Sequence, residues 1–255
     1  MDQLPVYSII ISTLNCADKL PHALHSIAAQ DYVGSYEVIV IDGGSSDRTL
    51  DVVSEYSFLI SHFVSEPDLG IYDAWNKGIT VSRGEWILFL GSDDKLLENT
   101  LSVYNDFLIS LPDDVDYISG KVRLTLASGA YQAIGRPWRW HEFSHYMRTA
   151  HVGSLHRRHL FDSYGLFSLK YSVCADYEFF MRIGPRLKAA YIDQCLAIMS
   201  VGGVSQSSLT PLLQTRDIKI KYGYCSVLRI DLDFIYSVLA WSVSRLKQFF
   251  GMGYR

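Results

Sequence analysis

Apolar residues in the first ninety positions come in short unbroken runs. Residues 6–12 read VYSIIIS, 37–42 EVIVID and 86–90 WILFL, with a weaker run, FLISHFV, at 58–64. Such runs alternate too little for a sheet with one wet face. They suit strands of a parallel sheet covered on both sides. Between them the period changes to helical. Leu20, Ala23, Leu24, Ile27 and Ala28 make one stripe behind Asp18 as N-cap, with Pro21 tolerated near the start. Leu50, Val53 and Tyr56 make a second after the GGSSDRT turn. Ile71, Ala74, Trp75 and Ile79 make a third, opposite a polar face of Asp73, Asn76, Lys77 and Thr80. The order β-α-β-α-β-α-β through residue 90 predicts a nucleotide-binding style α/β half.

The second half is less regular. Residues 116–126 predict one or two strands, 175–183 (ADYEFFMRI) a helix and 189–199 a strand before the Gly/Ser-rich VGGVSQSS. Residues 135–150, GRPWRWHEFSHYMRTA, are aromatic, basic and histidine-bearing, which fits a loop over a pocket better than a strand. Beyond Pro211 the chain turns helical and basic, and residues 227–250 carry long apolar stretches. No internal repeat or disordered linker divides the chain. One domain spans residues 1–210, with a donor half of about 1–95 and an acceptor half of about 96–210; residues 211–255 form its helical C-terminal extension.

Composition narrows the classes. A 255-residue chain with 49% hydrophobic and 20% charged residues is ordinary for a globular domain, and a net charge of −4 gives no reason to expect a nucleic acid partner. The first residues lack a basic stretch ahead of an apolar run, so no signal peptide is expected. Cys16, Cys174, Cys195 and Cys225 are too scattered for a disulfide framework or a zinc site, which fits reduced thiols in a cytoplasmic protein. Cys174 lacks an assigned base and is expected to pack rather than attack. There is neither a GxGxxG fingerprint nor a GxxxxGK phosphate loop.

The chemistry sits where the strands end. Asp42 closes the second run, and Asp93 with Asp94 follows the fourth. Ligands of open parallel sheets bind outside those ends. Carboxylates gathered there repel one another unless a cation or a donor group intervenes.

Five segments in order then resemble the family-2 glycosyltransferases of the GT-A fold: IIISTLNCADKLPHALHSI, EVIVIDGGSSDRT, SEPDLGIYDAWNKGI, GEWILFLGSDD and ADYEFFMRI. They cover roughly residues 5–185. The third looks like bacterial enzymes of surface-polysaccharide assembly, the colanic acid and lipopolysaccharide type. The resemblance implies a Rossmann-like, mostly parallel sheet flanked by helices, and transfer of a sugar from a nucleotide-diphosphate donor, UDP favoured, to a glycan or lipid-linked acceptor. It implies that Asp42 meets the nucleobase with Thr13 and Asn15. Asp68, Ser92 and Asp93 join the donor site, Asp93 at the ribose. Asp94 would hold Mn²⁺ or Mg²⁺ against the diphosphate. Asp176 corresponds to the general base, six residues before Arg182; the position before it, often Glu in the family, is Ala175 here. His151–Gly153 and Gly202–Ser205 resemble late active-site elements.

Direct attack on the anomeric carbon would invert its configuration, and no second carboxylate stands out as a nucleophile. Lys77 is preferred over Arg83 for balancing phosphate charge. Arg136, Arg139 and His141 could serve the same end from a mobile loop, and Arg136, Trp138, Arg139 and His151 are lid or acceptor candidates. The aromatic group of Trp138, Trp140, Phe143 and Tyr146 suits sugar stacking and a packed lid equally, and His151 suits an acceptor contact or a core role. Gly43 and Gly44 suit a base-side turn or a plain one. The C-terminal helix suits a membrane surface, with Arg245, Lys247 and Arg255 toward acidic lipids at the inner membrane's cytoplasmic face, or a core or homodimer contact. The rival classes are a metal-dependent nucleotidyltransferase and a noncatalytic carbohydrate-binding or assembly protein.

Overall fold

A computed structural model describes residues 4–126, 129–200 and 208–249, with side chains to 243. Nine strands form one sheet: β1 (Tyr7–Thr13), β2 (Tyr36–Asp42), β3 (His62–Ser65), β4 (Trp86–Gly91), β5 (Lys95–Leu96), β6 (Tyr117–Thr125), β7 (Tyr131–Ile134), β8 (Leu155–Arg157) and β9 (Ala189–Met199). Their order is β3-β2-β1-β4-β8-β6-β9-β5, with β7 beside β6. The first four are parallel, and β6 with β9 runs the same way. β8, β7 and β5 are antiparallel to their neighbours. The sheet is therefore mixed but mostly parallel, and it runs unbroken from the first half of the chain into the second.

The helices are α1 (Leu20–Ala28), α2 (Thr49–Glu55), α3 (Ile71–Val81), α4 (Thr100–Ile109), α5 (Trp140–Phe143), α6 (His159–Tyr164), α7 (Ala175–Ile183), α8 (Thr210–Tyr222) and α9 (Val227–Phe249). They cover both faces, which is why the strand runs do not alternate. Ile9 and Ile11 pack with Leu24, Ile27 and Leu101 from α1 and α4. Ile10 points the other way, with Trp75, Phe179 and Ile218 from α3, α7 and α8. Both sets are buried, so both faces of the sheet belong to the core.

Local details differ from the expected pattern. Asp18 is exposed and does not cap α1; Lys19 occupies the N-cap without a side-chain bond. The carboxylate doing the local work is Asp47, which accepts from the Ala17 and Thr49 amides and so ties the two turns together. β3 starts later than its apolar run, leaving Phe58 exposed. On α3, Tyr72 and Asn76 are buried while Ile71 is 40% exposed. The inward face is therefore rotated from the expected one because Asn76 finds a partner. Its amide exchanges hydrogen bonds with the backbone of Phe167, satisfying the buried polar group.

The C-terminal helices dock onto this body. Buried Lys219 of α8 pairs with buried Asp233 of α9 at 3.2 Å, and Arg216 pairs with Asp231 at 2.7 Å. The outer face of α9 leaves Leu228, Leu232, Ile235, Tyr236, Leu239 and Val243 exposed in one helical row. Among the described residues no helix is long and apolar enough to cross a membrane. The Gly202–Ser205 segment, Arg255 and the side chains of Arg245 and Lys247 lie outside the described residues.

Candidate active site

Parallel pairing aligns the carboxyl ends of the inner strands. Thr13 of β1 lies opposite Asp42 of β2, and Ser12 opposite Gly91 of β4. The expected donor-side residues Thr13, Asn15, Asp42, Ser92, Asp93 and Asp94 thus share one sheet edge. Asp42 is fully buried, and its carboxylate accepts from the Gly44 and Ser45 amides and from the Ser45 and Ser65 hydroxyls. It builds the floor turn as well as facing the edge. Asn15, in the left-handed region at φ 49°, accepts from the Ser46 amide. Thr13 Oγ1 is buried with no hydrogen-bond partner. The turn requires glycine at 44, while at 43 a side chain would displace the Asp68 carboxylate. Gly44 has φ 84°, and a Cβ on Gly43 would sit 2.6 Å from the Asp68 carboxylate.

Asp93 and Asp94 converge above Gly91. A Cβ there would lie 2.7 Å from Asp94 Oδ2 and 3.2 Å from Asp93 Oδ1. Asp94 Oδ1 accepts the Ser200 amide at 3.1 Å, which leaves Oδ2 toward the edge. Burial pushes the Asp94 carboxyl up to about 6, reinforced by Asp93 and opposed by the Ser200 hydrogen bond. A buried carboxylate short of positive charge, with a spare oxygen beside a second acid, fits a divalent cation. Among the described residues no three His, Cys, Asp or Glu groups gather around one point. Most of the coordination would therefore have to come from ligand and water oxygens.

Asp176 stands in the first turn of α7, where a negative charge faces the positive helix end. Its Oδ1 accepts the Tyr177 amide at 2.8 Å and, at 2.9 Å, shares the Tyr72 hydroxyl with the Val173 carbonyl at 2.7 Å. Oδ2 has no such bond among the described residues. Tyr72 stands in the first turn of α3, just after the Asp68–Gly70 turn on the donor side, so one hydroxyl joins the two regions. Asp176 opens onto a cavity of about 440 Å³, shared with His151, Met199 and the inner faces of α8 and α9. The His151 ring stacks on Trp75 and Phe89. Burial pushes its pKa down while Asp176 pulls the other way, and among the described residues Nε2 has no hydrogen-bond partner.

Other candidates are placed elsewhere. Lys77 is bound to Glu66 at 2.9 Å, to the Pro67 carbonyl and to Asp73, so its charge is already shared near the Asp68 turn. Arg83 sits at the amino end of the strands on buried Glu37, across the sheet from the acidic edge, and is not a phosphate ligand candidate. Trp138 packs on Phe143 at 4.2 Å and on Phe180, and Trp140 on Tyr224, which makes the aromatic group a packed cap. Arg139 pairs with Glu142, and Arg136 and His141 are exposed. From this stretch Tyr146, Met147, Thr149, Ala150 and His151 reach the cavity. Cys174 is buried and its thiol is pushed up to about 12, mainly by burial, which matches packing.

Sequence reasoning missed Glu178. This 1%-exposed acid on α7 binds Arg182, Lys221 and the Tyr222 hydroxyl. Arg182 in turn donates to the Tyr164 and Leu166 carbonyls. The helix carrying Asp176 is thereby clamped to α8. An acid four residues before an arginine inside an apolar helix was the available signal; the Lys221 contact was not readable. Burial alone would raise the Glu178 pKa, but the Arg182, Lys221 and Tyr222 bonds outweigh it and hold the pKa below 4.5. A depressed folded-state value stabilises the fold above the unfolded value, and that stability is lost as the pH falls from 4.5 through the depressed one. Glu178→Gln is expected to cost about 2–3 kcal/mol at neutral pH, roughly 5–10 °C in Tm, and to flatten the acid limb of Tm against pH. An unchanged acid limb by differential scanning calorimetry would refute the clamp.

The family model "Glycosyl transferase family 2" matches residues 8–171. A Mycobacterium tuberculosis protein named "PGL/p-HBAD biosynthesis glycosyltransferase" is 35% identical over 212 residues, 80% of each chain. Staphylococcus aureus TarS superposes with a TM-score of 0.69 at 20% identity over 89% of this chain, which spans 42% of that longer one. Its 1–349 fragment is described in complex with UDP-GlcNAc, with a TM-score of 0.69 at 19% identity, covering 89% of this chain and 70% of the fragment. A Pyrobaculum calidifontis mannosyltransferase in complex with GDP-Man and Mn²⁺ has a TM-score of 0.69 at 18% identity over all of this chain and 77% of its own.

Proposed function

The chain belongs to glycosyl transferase family 2, and on that premise we propose that it is an inverting, metal-assisted transferase in surface glycoconjugate synthesis. It has the GT-A-like fold expected of such an enzyme. The proposed donor is a nucleotide-diphosphate sugar, UDP first, with GDP and dTDP as alternatives; the acceptor is a hydroxyl of a glycan or lipid-linked molecule. The observation carrying the reading is the single sheet edge that holds Thr13, Asp42, Asp93 and Asp94, joined through Tyr72 to an Asp176 with one oxygen open.

Residues 1–95 supply the donor half and 96–210 the acceptor half, with 211–255 as an extension. Thr13, Asn15 and the Asp42 turn receive the base, Asp93 the ribose, and Asp68 and Ser92 line the donor's path. Asp94 would hold Mn²⁺ or Mg²⁺. The ion supplies Lewis-acid stabilisation of the departing diphosphate when bound. Asp176 Oδ2 receives the acceptor proton as the new bond forms, while Tyr72 and the Tyr177 amide hold Oδ1 and fix the carboxylate's angle. Asp233, the other cavity carboxylate, is held by Lys219, Arg229 and His145 and is poorly placed to act as a nucleophile. That favours direct displacement and inversion.

A nucleotidyltransferase would need a glycine-lysine phosphate loop where this chain has STLNCAD. A noncatalytic sugar-binding role would leave the open oxygen of Asp176 without purpose. Peripheral membrane contact through the exposed row of α9 is the proposed location, with a homodimer as the rival; sedimentation with and without anionic vesicles separates them. Calorimetric titration of UDP-, GDP- and dTDP-sugars with and without Mn²⁺ tests the main reading. One nucleotide is expected to bind in a metal-dependent way. Absence of binding throughout the panel would overturn it.

A further inference from the structure

The cavity beyond Asp176 has two unlike ends. At the Asp176 end, polar atoms await a ligand. Among the described residues His151 Nε2 is buried without a hydrogen-bond partner and Asp176 Oδ2 is open, whereas the Thr149 hydroxyl beside them already has the Tyr117 hydroxyl as a partner. Such groups cost free energy unless something hydrogen-bonds to them.

The far walls come from α8 and α9, each through residues spaced i, i+3, i+4, i+7: Leu212, Thr215, Arg216 and Lys219, then Ile230, Asp233, Phe234 and Ser237. Two complete helix faces therefore serve the cavity. Their polar groups already bind one another among the described residues. Lys219 holds Asp233, Arg216 holds Asp231, Thr215 lies on the Cys174 thiol, and Ser237 donates to the Asp233 carbonyl. What remains open is apolar: Leu212 and Phe234, with buried Ile230 behind them, facing Ile134, Met147 and Met199. A hydroxylated sugar placed there would lose its water without gaining partners. An alkyl or aryl group would gain burial, and methionines adapt to such shapes. The volume of about 440 Å³ lies within the usual range for a ligand pocket.

We infer that this cavity selects an acceptor whose reacting hydroxyl sits beside an apolar aglycone, alkyl or aryl, and that Leu212 and Phe234 read that aglycone. The inference rests on the transferase reading and narrows its acceptor. The C-terminal helices are then a specificity element rather than packing alone. A free oligosaccharide would be the poorer acceptor, because among the described residues the unspent hydrogen-bonding groups lie at the Asp176 end.

The test is calorimetric binding of methyl, butyl, octyl and phenyl β-glucosides to the full chain, each below its micelle concentration. Affinity is expected to rise about threefold per added methylene until the cavity is filled, with phenyl well above methyl. The octyl and phenyl arms show whether the space suits a chain or a ring. Phe234→Gln and Leu212→Gln, both at half-buried positions, are each expected to flatten the series. If one fails to fold by circular dichroism, the other decides. Equal affinity along the series overturns the inference. So does a gradient that survives both substitutions, since the chains would then be binding elsewhere, such as the outer row of α9. Nucleotide-sugar binding is measured separately: its loss would sink the transferase reading, while the glycoside series judges the cavity by itself.

Discussion

Asp176→Asn is expected to lower sugar transfer by about a thousandfold while leaving nucleotide-sugar affinity within about twofold. Asparagine keeps the shape and can still accept from Tyr72 and the Tyr177 amide, so α7 should be undisturbed. What it loses is the capacity of Oδ2 to take a proton. The loss should appear in kcat, because the proton moves only in the transition state. Tyr72→Phe gives the companion result. It leaves the base present but frees its angle, for a fall in kcat of about tenfold, the worth of one charge-assisted hydrogen bond. Release of nucleoside diphosphate in the presence of acceptor reads both. Near-normal turnover by the Asp176 variant would remove it from the mechanism. Equal damage by the two variants would mean that the helix position, rather than the proton, had been disturbed.

What could be read in advance follows the range of the interaction. β1, β2, β4, α7 and β9 were legible because double-sided burial and helical periodicity are local patterns. The acidic edge was legible because strand ends in a parallel sheet fall together whenever the order is right. Partners set by tertiary packing were not. Asn76 read as a polar outward residue until its amide met the Phe167 backbone, 91 positions away. Tyr72 and Asp176 are 104 apart. Arg83 looked available as a phosphate cation, but Glu37 holds it at the wrong end of the sheet. The aromatic loop had two equal readings in sequence. Contacts with Phe180 and Tyr224 decided for packing at Trp138 and Trp140, while Tyr146, Met147, Thr149, Ala150 and His151 took the cavity. Antiparallel β8, inserted between β4 and β6, carried no signal beyond three residues.

Asp94→Asn separates metal from fold at the other end of the site. Asparagine can still accept the Ser200 amide, so the link between β9 and the acidic edge survives. It also removes a buried charge that the protein leaves poorly compensated, so thermal stability without metal should hold or rise. Donor affinity should move the other way. With Mn²⁺ present, nucleotide-sugar binding is expected to weaken by roughly 100-fold, since loss of even an indirect ligand partner costs 10–100-fold. Without Mn²⁺ the variant and the parent should bind alike. The interaction of mutation with metal is therefore the readout, and neither affinity alone would serve. If the variant kept the parent's Mn²⁺-dependent gain, the ion would have to sit on Asp93 or elsewhere. If the parent showed no gain at all, the convergence of Asp93 and Asp94 over Gly91 would belong to a metal-independent donor site. Lys19, 3.5 Å from Asp93, would then be the cation beside the acidic pair available to balance phosphate charge.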